Sequence, residues 1–428
     1  MIVPRPLLLA ATALSLTTGA FAQFDTLLGP VSNTALGPID NAEYKSETAV
    51  DLGLARLYVA NVGQVGCKVL PTGAVGVDGT KPVMVEDLVM DRTNKIAFMG
   101  SDPYRLKAGA TGGWMPGNGN GFLDAAYGAK GNGSIFVYAY GQDSLVTGAG
   151  TTKLTITPPL ASFHPHGLKT LAQADGSTLL FVVNHRTQVP YDPAGLYSVV
   201  EVLKYDRKVS TTSLQHIRTI QDPLIWTPNN LVPISATSFY VSNDHQNRDG
   251  VARSIEEYTQ QPTSWITYCD FSSLTSSVSC MKAAEGLRGA NGMNTDGSLV
   301  WANEALGGDI VGFTQNVDNT LTISKRINLD YLPDNLSFEP TTRSFTAAGH
   351  PQGLVFQAFG AGLASSAPSW VDVVHADGTT KRIWSDDGKL LAASTVFEVD
   401  VASNVVLASG VFQKAGVVRC QVPAAFKN

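Results

Sequence analysis

Three observations predict an all-β fold of the six-bladed β-propeller type. Strand-like runs recur along the chain with few long helical patterns between them, one short unit is repeated six times, and a cysteine lies near each end of the repeated region. The runs are rich in Val, Ile, Phe, Tyr and Leu, and Gly, Asn, Asp and Pro punctuate them. A chain of 428 residues would ordinarily form two or three domains, but repeat architectures exceed that length as one body.

The composition narrows the class further. Lys plus Arg is 30 and Asp plus Glu is 36, a net charge of −6, with 15% charged and 44% hydrophobic residues. That balance excludes a disordered chain and a basic nucleic-acid binder, and 4 cysteines are too few for a dense disulfide scaffold.

Residues 1–22 read as a cleavable secretory leader: Arg5 in a basic start, an apolar run from Leu7 to Leu16, then Ala20-Phe21-Ala22 as a small-x-small cleavage site. The apolar run is too short to span a membrane and no later run approaches that length, so no transmembrane segment is expected. The expected product is secreted and extracellular, with residues 23–66 leading into a propeller over 67–428. A monomer is the default state.

Each repeat is a polar pair, an apolar anchor, a short turn and an apolar strand ending in small or polar residues. The copies begin at Glu86-Asp87-Leu88, His166-Gly167-Leu168, Asn229-Asn230-Leu231, Asn291-Gly292-Met293, Asp334-Asn335-Leu336 and Ser394-Thr395-Val396. Their anchors lie 43 to 80 residues apart, room for a four-stranded blade of about 40 to 50 residues in every copy. The widest gap holds a glycine-rich insertion, Gly109 to Gly133, without the spacing or following helix of a phosphate loop, and is read as a surface or entrance loop.

Equivalent positions in equivalent blades surround the axis, so the polar pairs form rings at one mouth of the channel. Nearly every side chain there offers oxygen: Glu86, Asp87, Asn229, Asn230, Asn291, Asp334 and Asn335, with Ser394 and Thr395. Oxygen donors of mixed type suit calcium, whereas zinc would call for Cys or several His. The chain has 7 histidines, and His166, His185, His245 and His350 fall on the ring or at strand ends. His166 and His185 belong to one blade and could meet, and a neutral imidazole oriented by another can serve as a base near neutral pH. A G-x-S-x-G elbow, an H-E-x-x-H helix and a Walker loop are all missing, which disfavours an unassisted serine hydrolase.

An oxidising compartment gives the cysteines meaning. Cys269 and Cys280 flank a Ser/Thr-rich stretch and read as a local staple. Cys67 and Cys420, if they pair, would join the two ends of the chain where a closed ring needs them to meet.

Phe163-His164-Pro165-His166-Gly167-Leu168, Phe181-Val182-Val183-Asn184-His185, Ser242-Asn243-Asp244-His245, Gly289-Ala290-Asn291-Gly292, Leu332-Pro333-Asp334-Asn335-Leu336-Ser337 and Gly349-His350-Pro351 resemble, in order, motifs of the serum paraoxonase/arylesterase family. The resemblance runs from about Cys67 to Cys420. It implies a six-bladed propeller closed by a Cys67–Cys420 disulfide, with two calcium ions in its channel, acting on lactones, aryl esters and in some members organophosphate triesters. Carried over, the catalytic ion is held by Glu86, Asn229, Asn291, Asp334 and Asn335. The structural ion is held by Asp87, the Leu168 carbonyl and Asn230, although the family typically has Asp at the last position. His166 is the implied general base and His185 its partner, with Asn184, Asp244, His245 and His350 lining the pocket.

Two rival readings stand beside a calcium-dependent ester and lactone hydrolase: a sugar-lactonase or strictosidine-synthase-like propeller, and a non-catalytic propeller that calcium stabilises for binding. Of two N-x-S/T sequons, Asn132-Gly133-Ser134 and Asn335-Leu336-Ser337, the first is the expected glycan acceptor, because the second falls on the proposed ring.

Overall fold

A computed structural model describes residues 61–70, 81–103, 105, 131–141, 150–186, 198–248, 250–273, 276–360, 362–375 and 377–427. The leader, most of residues 23–66 and the body of the glycine-rich insertion lie outside the described residues.

Six antiparallel sheets form the body. The first holds β2 (Val85–Asp91), β3 (Ile96–Ser101), β4 (Ser134–Tyr138) and β5 (Thr151–Lys153). The second holds β7 (Pro165–Ala172), β8 (Thr178–His185), β9 (Ser198–Tyr205) and β10 (Ser213–Ile220). It differs from the four-stranded expectation, because β6 (Thr155–Thr157) adds a fifth, parallel strand along β10. The third comprises β11 (Pro228–Ser235), β12 (Ser238–Asn243), β13 (Ser264–Asp270) and β14 (Ser279–Leu287). The fourth comprises β15 (Ala290–Thr295), β16 (Val300–Glu304), β17 (Asp309–Gln315) and β18 (Leu321–Asn328). The fifth comprises β19 (Leu332–Glu339), β20 (Ser344–His350), β21 (Ser369–Val374) and β22 (Thr380–Asp386). The sixth takes β23 (Ser394–Asp400), β24 (Val405–Gly410) and β25 (Val417–Cys420) from the end of the chain and β1 (Lys68–Leu70) from near its beginning.

The first strand of each sheet touches the first strand of the next, and β23 returns to β2, so these strands enclose the axis. The anchors predicted from the repeat, Leu88, Leu168, Leu231, Met293, Leu336 and Val396, are fully buried on these strands. Burying a side chain of that size contributes about 1.5–3 kcal/mol. The core is distributed between blades. Phe181 and Val202 of blade two pack with Phe239 and Val241 of blade three, and Val396 and Leu407 of blade six pack with Leu88 and Met99 of blade one. A similar cluster fills each of the other four interfaces, so every blade is held on both sides.

Two longer helices, α1 (Gly250–Tyr258) and α2 (Gly353–Gly360), lie in the connections between second and third strands of their blades. The β3–β4 connection, whose sequence includes Gly109 to Gly133, leaves and returns at this same side, because β3 ends and β4 begins where Ser101 pairs with Ser134 and with Val85, beside Glu86. Among the described residues no helix is long and apolar enough to cross a membrane.

Both disulfides form. Cys67–Cys420 joins residues 353 apart, while Cys269–Cys280 ties directly opposed residues of β13 and β14 across 11. In the chain-entropy model these links contribute about 6 and about 3 kcal/mol. Replacing Cys67 and Cys420 with Ser should therefore lower the chemical denaturation midpoint more than replacing Cys269 and Cys280. Equal losses would show that the β1–β25 ladder closes the ring unaided.

Candidate functional site

All six first strands carry a β-bulge at the ring. The pairing slips between Val85 and Leu88, Pro165 and Leu168, Pro228 and Leu231, Ala290 and Met293, Pro333 and Leu336, and Ser394 and Val396. The first five slips enclose the predicted polar pairs, and the sixth encloses Thr395. A bulge places extra backbone against the partner strand and re-aims its side chains, which turns ordinary strand starts toward the axis. Glycine fills two of these positions for a spatial reason. A Cβ on Gly167 would come within 3.0 Å of Asn230 Cα, and one on Gly292 within 3.0 Å of Asn335 Cα, both backbone atoms of the next ring pair.

The ring brings together Glu86, Asn229, Asn291 and Asp334, and leaves several buried oxygens without a donor. Glu86 Oε2, Asn229 Oδ1 and Asn291 Oδ1 lack hydrogen-bond partners. Asp334 Oδ2 accepts from His350 Nε2 at 2.9 Å. Asn335 is turned otherwise: its Nδ2 donates to Glu86 Oε1 at 2.7 Å and its Oδ1 accepts from Asn230 Nδ2 at 2.6 Å. Burial, reinforced by Asp87 and Asp334, holds the Glu86 carboxyl well above its usual range, and burial with Asp87 and Asp244 does the same to Asp334. Buried acids crowded beside donor-free oxygens are a site that a hard divalent cation would relieve. These residues fit calcium. Among the described residues no cluster of three His, Cys, Asp or Glu is arranged to hold a metal, and the amide oxygens make the difference.

One residue further along the strands, the expected second set fits a metal less well. Asp87 Oδ2 already accepts from Lys169 Nζ at 2.7 Å, Leu168 N at 3.0 Å and Asn230 Nδ2 at 3.0 Å, which leaves Asp87 Oδ1 as the one donor-free oxygen of this set. Asn230 faces the acid with its donor end, while its Oδ1 accepts from Leu231 N. The Leu168 N–H also points at this carboxylate. The departure arises because Lys169 follows the ring pair at a buried position, a placement for which the repeat has no cue.

The histidines assemble at the same mouth. His166 and His185 lie with ring centroids 4.9 Å apart. Arg105 Nη1 donates to His166 Nδ1 at 2.7 Å, and its other terminal nitrogen donates to the Pro165 carbonyl. The proton of neutral His166 then belongs on Nε2, 3.8 Å from Glu86 Oε1, and Asn229 Nδ2, 3.3 Å from the same nitrogen, is a close contact there and not a donor to it. Burial, Arg105 and His185 hold the His166 imidazole well below its usual value, and burial brings His185 to about 3. His185 Nδ1 is 2.9 Å from Ser198 Oγ, and its buried Nε2 has no partner. His245 sits 3.0 Å from Asp244 and 3.5 Å from Glu257 of α1. His350 stacks on Phe356 of α2 with centroids 3.7 Å apart. Asn184 braces the strand end: its amide engages Glu201, the Ser162 carbonyl and the His164 N–H.

Arg105, Ser198, Phe356 and Lys169 escaped the sequence reading. The first three lie off the six repeated segments, so periodicity gave no signal for them. Of the sequons, Asn132 is exposed and Asn335 is buried in the ring.

A sequence profile described as Arylesterase matches residues 125–421. The chain is 30% identical over 263 residues to serum paraoxonase/arylesterase 1 of Mus musculus, covering 60% of this chain and 69% of that protein. It is 29% identical over 260 residues to serum paraoxonase/arylesterase 2 of Gallus gallus, covering 60% and 68%. Among solved structures, the calcium-binding protein regucalcin from Agrobacterium tumefaciens superposes with a TM-score of 0.45 at 10% identity, covering 84% of this chain and 96% of that one. The periplasmic gluconolactonase of Pseudomonas aeruginosa does so with 0.41 at 12% identity, covering 75% and 77%.

Two outcomes follow from the ring. Gly292→Ala should lower the melting temperature, because neighbouring backbone must move, and a wild-type melting curve would mean the ring pairs are not in close contact. For the carboxyls the sign runs through protonation. An acid whose folded pKa is raised adds stability fully below its unfolded value and loses it as pH climbs through the folded one. Stripping calcium should therefore lower the melting temperature less at about pH 5 than at about pH 7, a difference in which the buried neutral imidazoles, which lose stability toward acid with or without the ion, cancel. An equal or larger loss at the acidic pH would show that Glu86 and Asp334 carry no such burden.

Proposed function

The chain belongs to the arylesterase family, and from that premise we propose that it is a secreted, calcium-dependent hydrolase of lactones and aryl esters, with organophosphate triesters as secondary substrates. Membership makes it an esterase/lactonase acting on a small molecule. The observation that carries the finer reading is the set of donor-free oxygens on Glu86, Asn229 and Asn291, beside Asp334 and two neutral imidazoles. Glu86, Asn229, Asn291 and Asp334 would hold the ion, with Asn335 Nδ2 holding the Glu86 carboxyl in place. When bound, calcium would polarise the ester carbonyl and offset the negative charge that develops on its oxygen.

The remaining chemistry belongs to the chain itself. A water attacking the carbonyl must lose a proton, and the neutral His166–His185 pair is the base at hand. Because Arg105 donates to His166 Nδ1, the geometry favours uptake at His185 Nε2, with Ser198 fixing the ring from its other nitrogen. Asp244 favours the imidazolium so formed, as its charge acts to raise the His185 pKa. His350 and Phe356 form an aromatic wall from which the imidazole also orients Asp334. Two disulfides support an oxidising compartment, in keeping with the leader pattern of residues 1–22.

Purified protein should hydrolyse a lactone or phenyl acetate, lose that activity with a chelator and regain it with calcium. Asp334→Ala should cost both bound calcium and turnover. His185→Asn should lower kcat by roughly 10²-fold while calcium remains bound, the usual magnitude for a lost general base. Full turnover after exhaustive chelation would overturn the calcium mechanism. Chelator-sensitive melting with no hydrolysis of any ester would favour a binding propeller.

A further inference from the structure

We propose that Lys169 is a built-in replacement for a second metal ion, so that the channel holds a single calcium. This rests on the calcium reading of the ring, and concerns only how many ions it takes. The expected structural ion would sit on Asp87, with oxygen from the Leu168 carbonyl and from residue 230. Here three donors converge on one Asp87 oxygen, and the deeper site keeps a single donor-free oxygen, Asp87 Oδ1, against three at the ring above it. Lys169 Nζ reaches Asp87 Oδ2 from the adjacent blade at 2.7 Å, with both side chains buried. The Leu168 N–H and Asn230 Nδ2 meet the same oxygen, each at 3.0 Å.

The orientation of the Asn230 amide follows from its neighbours. Asn335 must donate through Nδ2, because both its partners there, the Glu86 carbonyl and Glu86 Oε1, are acceptors. Its Oδ1 is thereby turned to Asn230, which must donate in turn, and Asp87 Oδ2 takes the same Nδ2. The chain of acceptors leaves Asn230 no oxygen to offer the deeper site, since its Oδ1 holds Leu231 N at 2.8 Å.

Charge agrees with geometry. Lys169 matches Asp87, and Arg92 Nη2 meets the buried Glu398 at 2.7 Å. With the buried Arg105 set against Asp102 first, Glu86 and Asp334 are left together, two carboxylates for one divalent ion. A second divalent ion on Asp87 Oδ1 would face the Lys169 ammonium across one buried carboxylate, where like charges repel with little screening. The Asn230 amide, in place of the acid typical of the family, belongs to the same substitution: once the ammonium supplies the cation, a second carboxylate would be unmatched. Lys169 can do structurally what an ion does, linking blade one to blade two at the axis, without being removable by a chelator.

The test is a count. Full-length folded protein, stripped and re-equilibrated with calcium alone, should bind one ion per chain by elemental analysis and calorimetric titration. Asn230→Asp alone should still bind one, while Lys169→Met with Asn230→Asp should bind two. Two ions in the wild type would overturn the proposal, as would a second ion gained by Asn230→Asp alone. A correctly folded double variant that stays at one would also overturn it, because the ammonium would not be what excludes the ion. If the double variant does not fold, the wild-type count decides. Zero ions in the wild type would instead sink the calcium reading of the ring, a result distinct from all of these.

Discussion

Closing six sheets around one axis forces their first strands so near each other that the side chains at the strand starts must satisfy one another. Glu86 is bonded by Asn335, a residue 249 positions away, and Thr395 Oγ1 donates to the Glu86 carbonyl from 309 positions away. These contacts exist only when the ring is complete. The Cys67–Cys420 link, the β1–β25 ladder and the six interblade clusters all serve that closure. It also brings Glu86, Asp87 and Asp334 into an apolar body, where their mutual repulsion cannot be screened by water. The channel therefore calls for cations, and Lys169 is one that the chain provides.

Above the ring, the connections between second and third strands do a different job. They are not repeats of each other, and α1 and α2 belong to two of them. Through Glu257 and Phe356 these helices reach His245 and His350. The barrel of strands thus fixes where an ion and a reacting carbonyl would sit, while irregular segments shape what surrounds them. Arg105 belongs to this second group, and its contact with His166 changes the protonation logic of the imidazole pair.

Much of the molecule was legible beforehand because it repeats. The anchors were found by their recurrence, and each is buried on the strand nearest the axis. The ring pairs were found as the residues before those anchors, and the bulges explain why just these positions turn inward. Asn184 shares a strand end with His185, but its amide is engaged by Glu201, the Ser162 carbonyl and the His164 N–H. Alternation along a strand sends neighbouring side chains to opposite faces, so adjacency in sequence does not place two residues in one pocket.

By itself, the sequence determined the six-fold β architecture, the meeting of its ends and the identity of the oxygen ring. Those are properties of periodic pattern and of symmetry, which a linear string records. Only the tertiary structure decided which oxygens are left without donors, that Arg105 takes the Nδ1 of His166, and that Lys169 occupies Asp87. Each of these depends on distances between residues far apart in the chain and on the direction in which a side-chain amide or ammonium points. Such vectors are set by packing across blade interfaces.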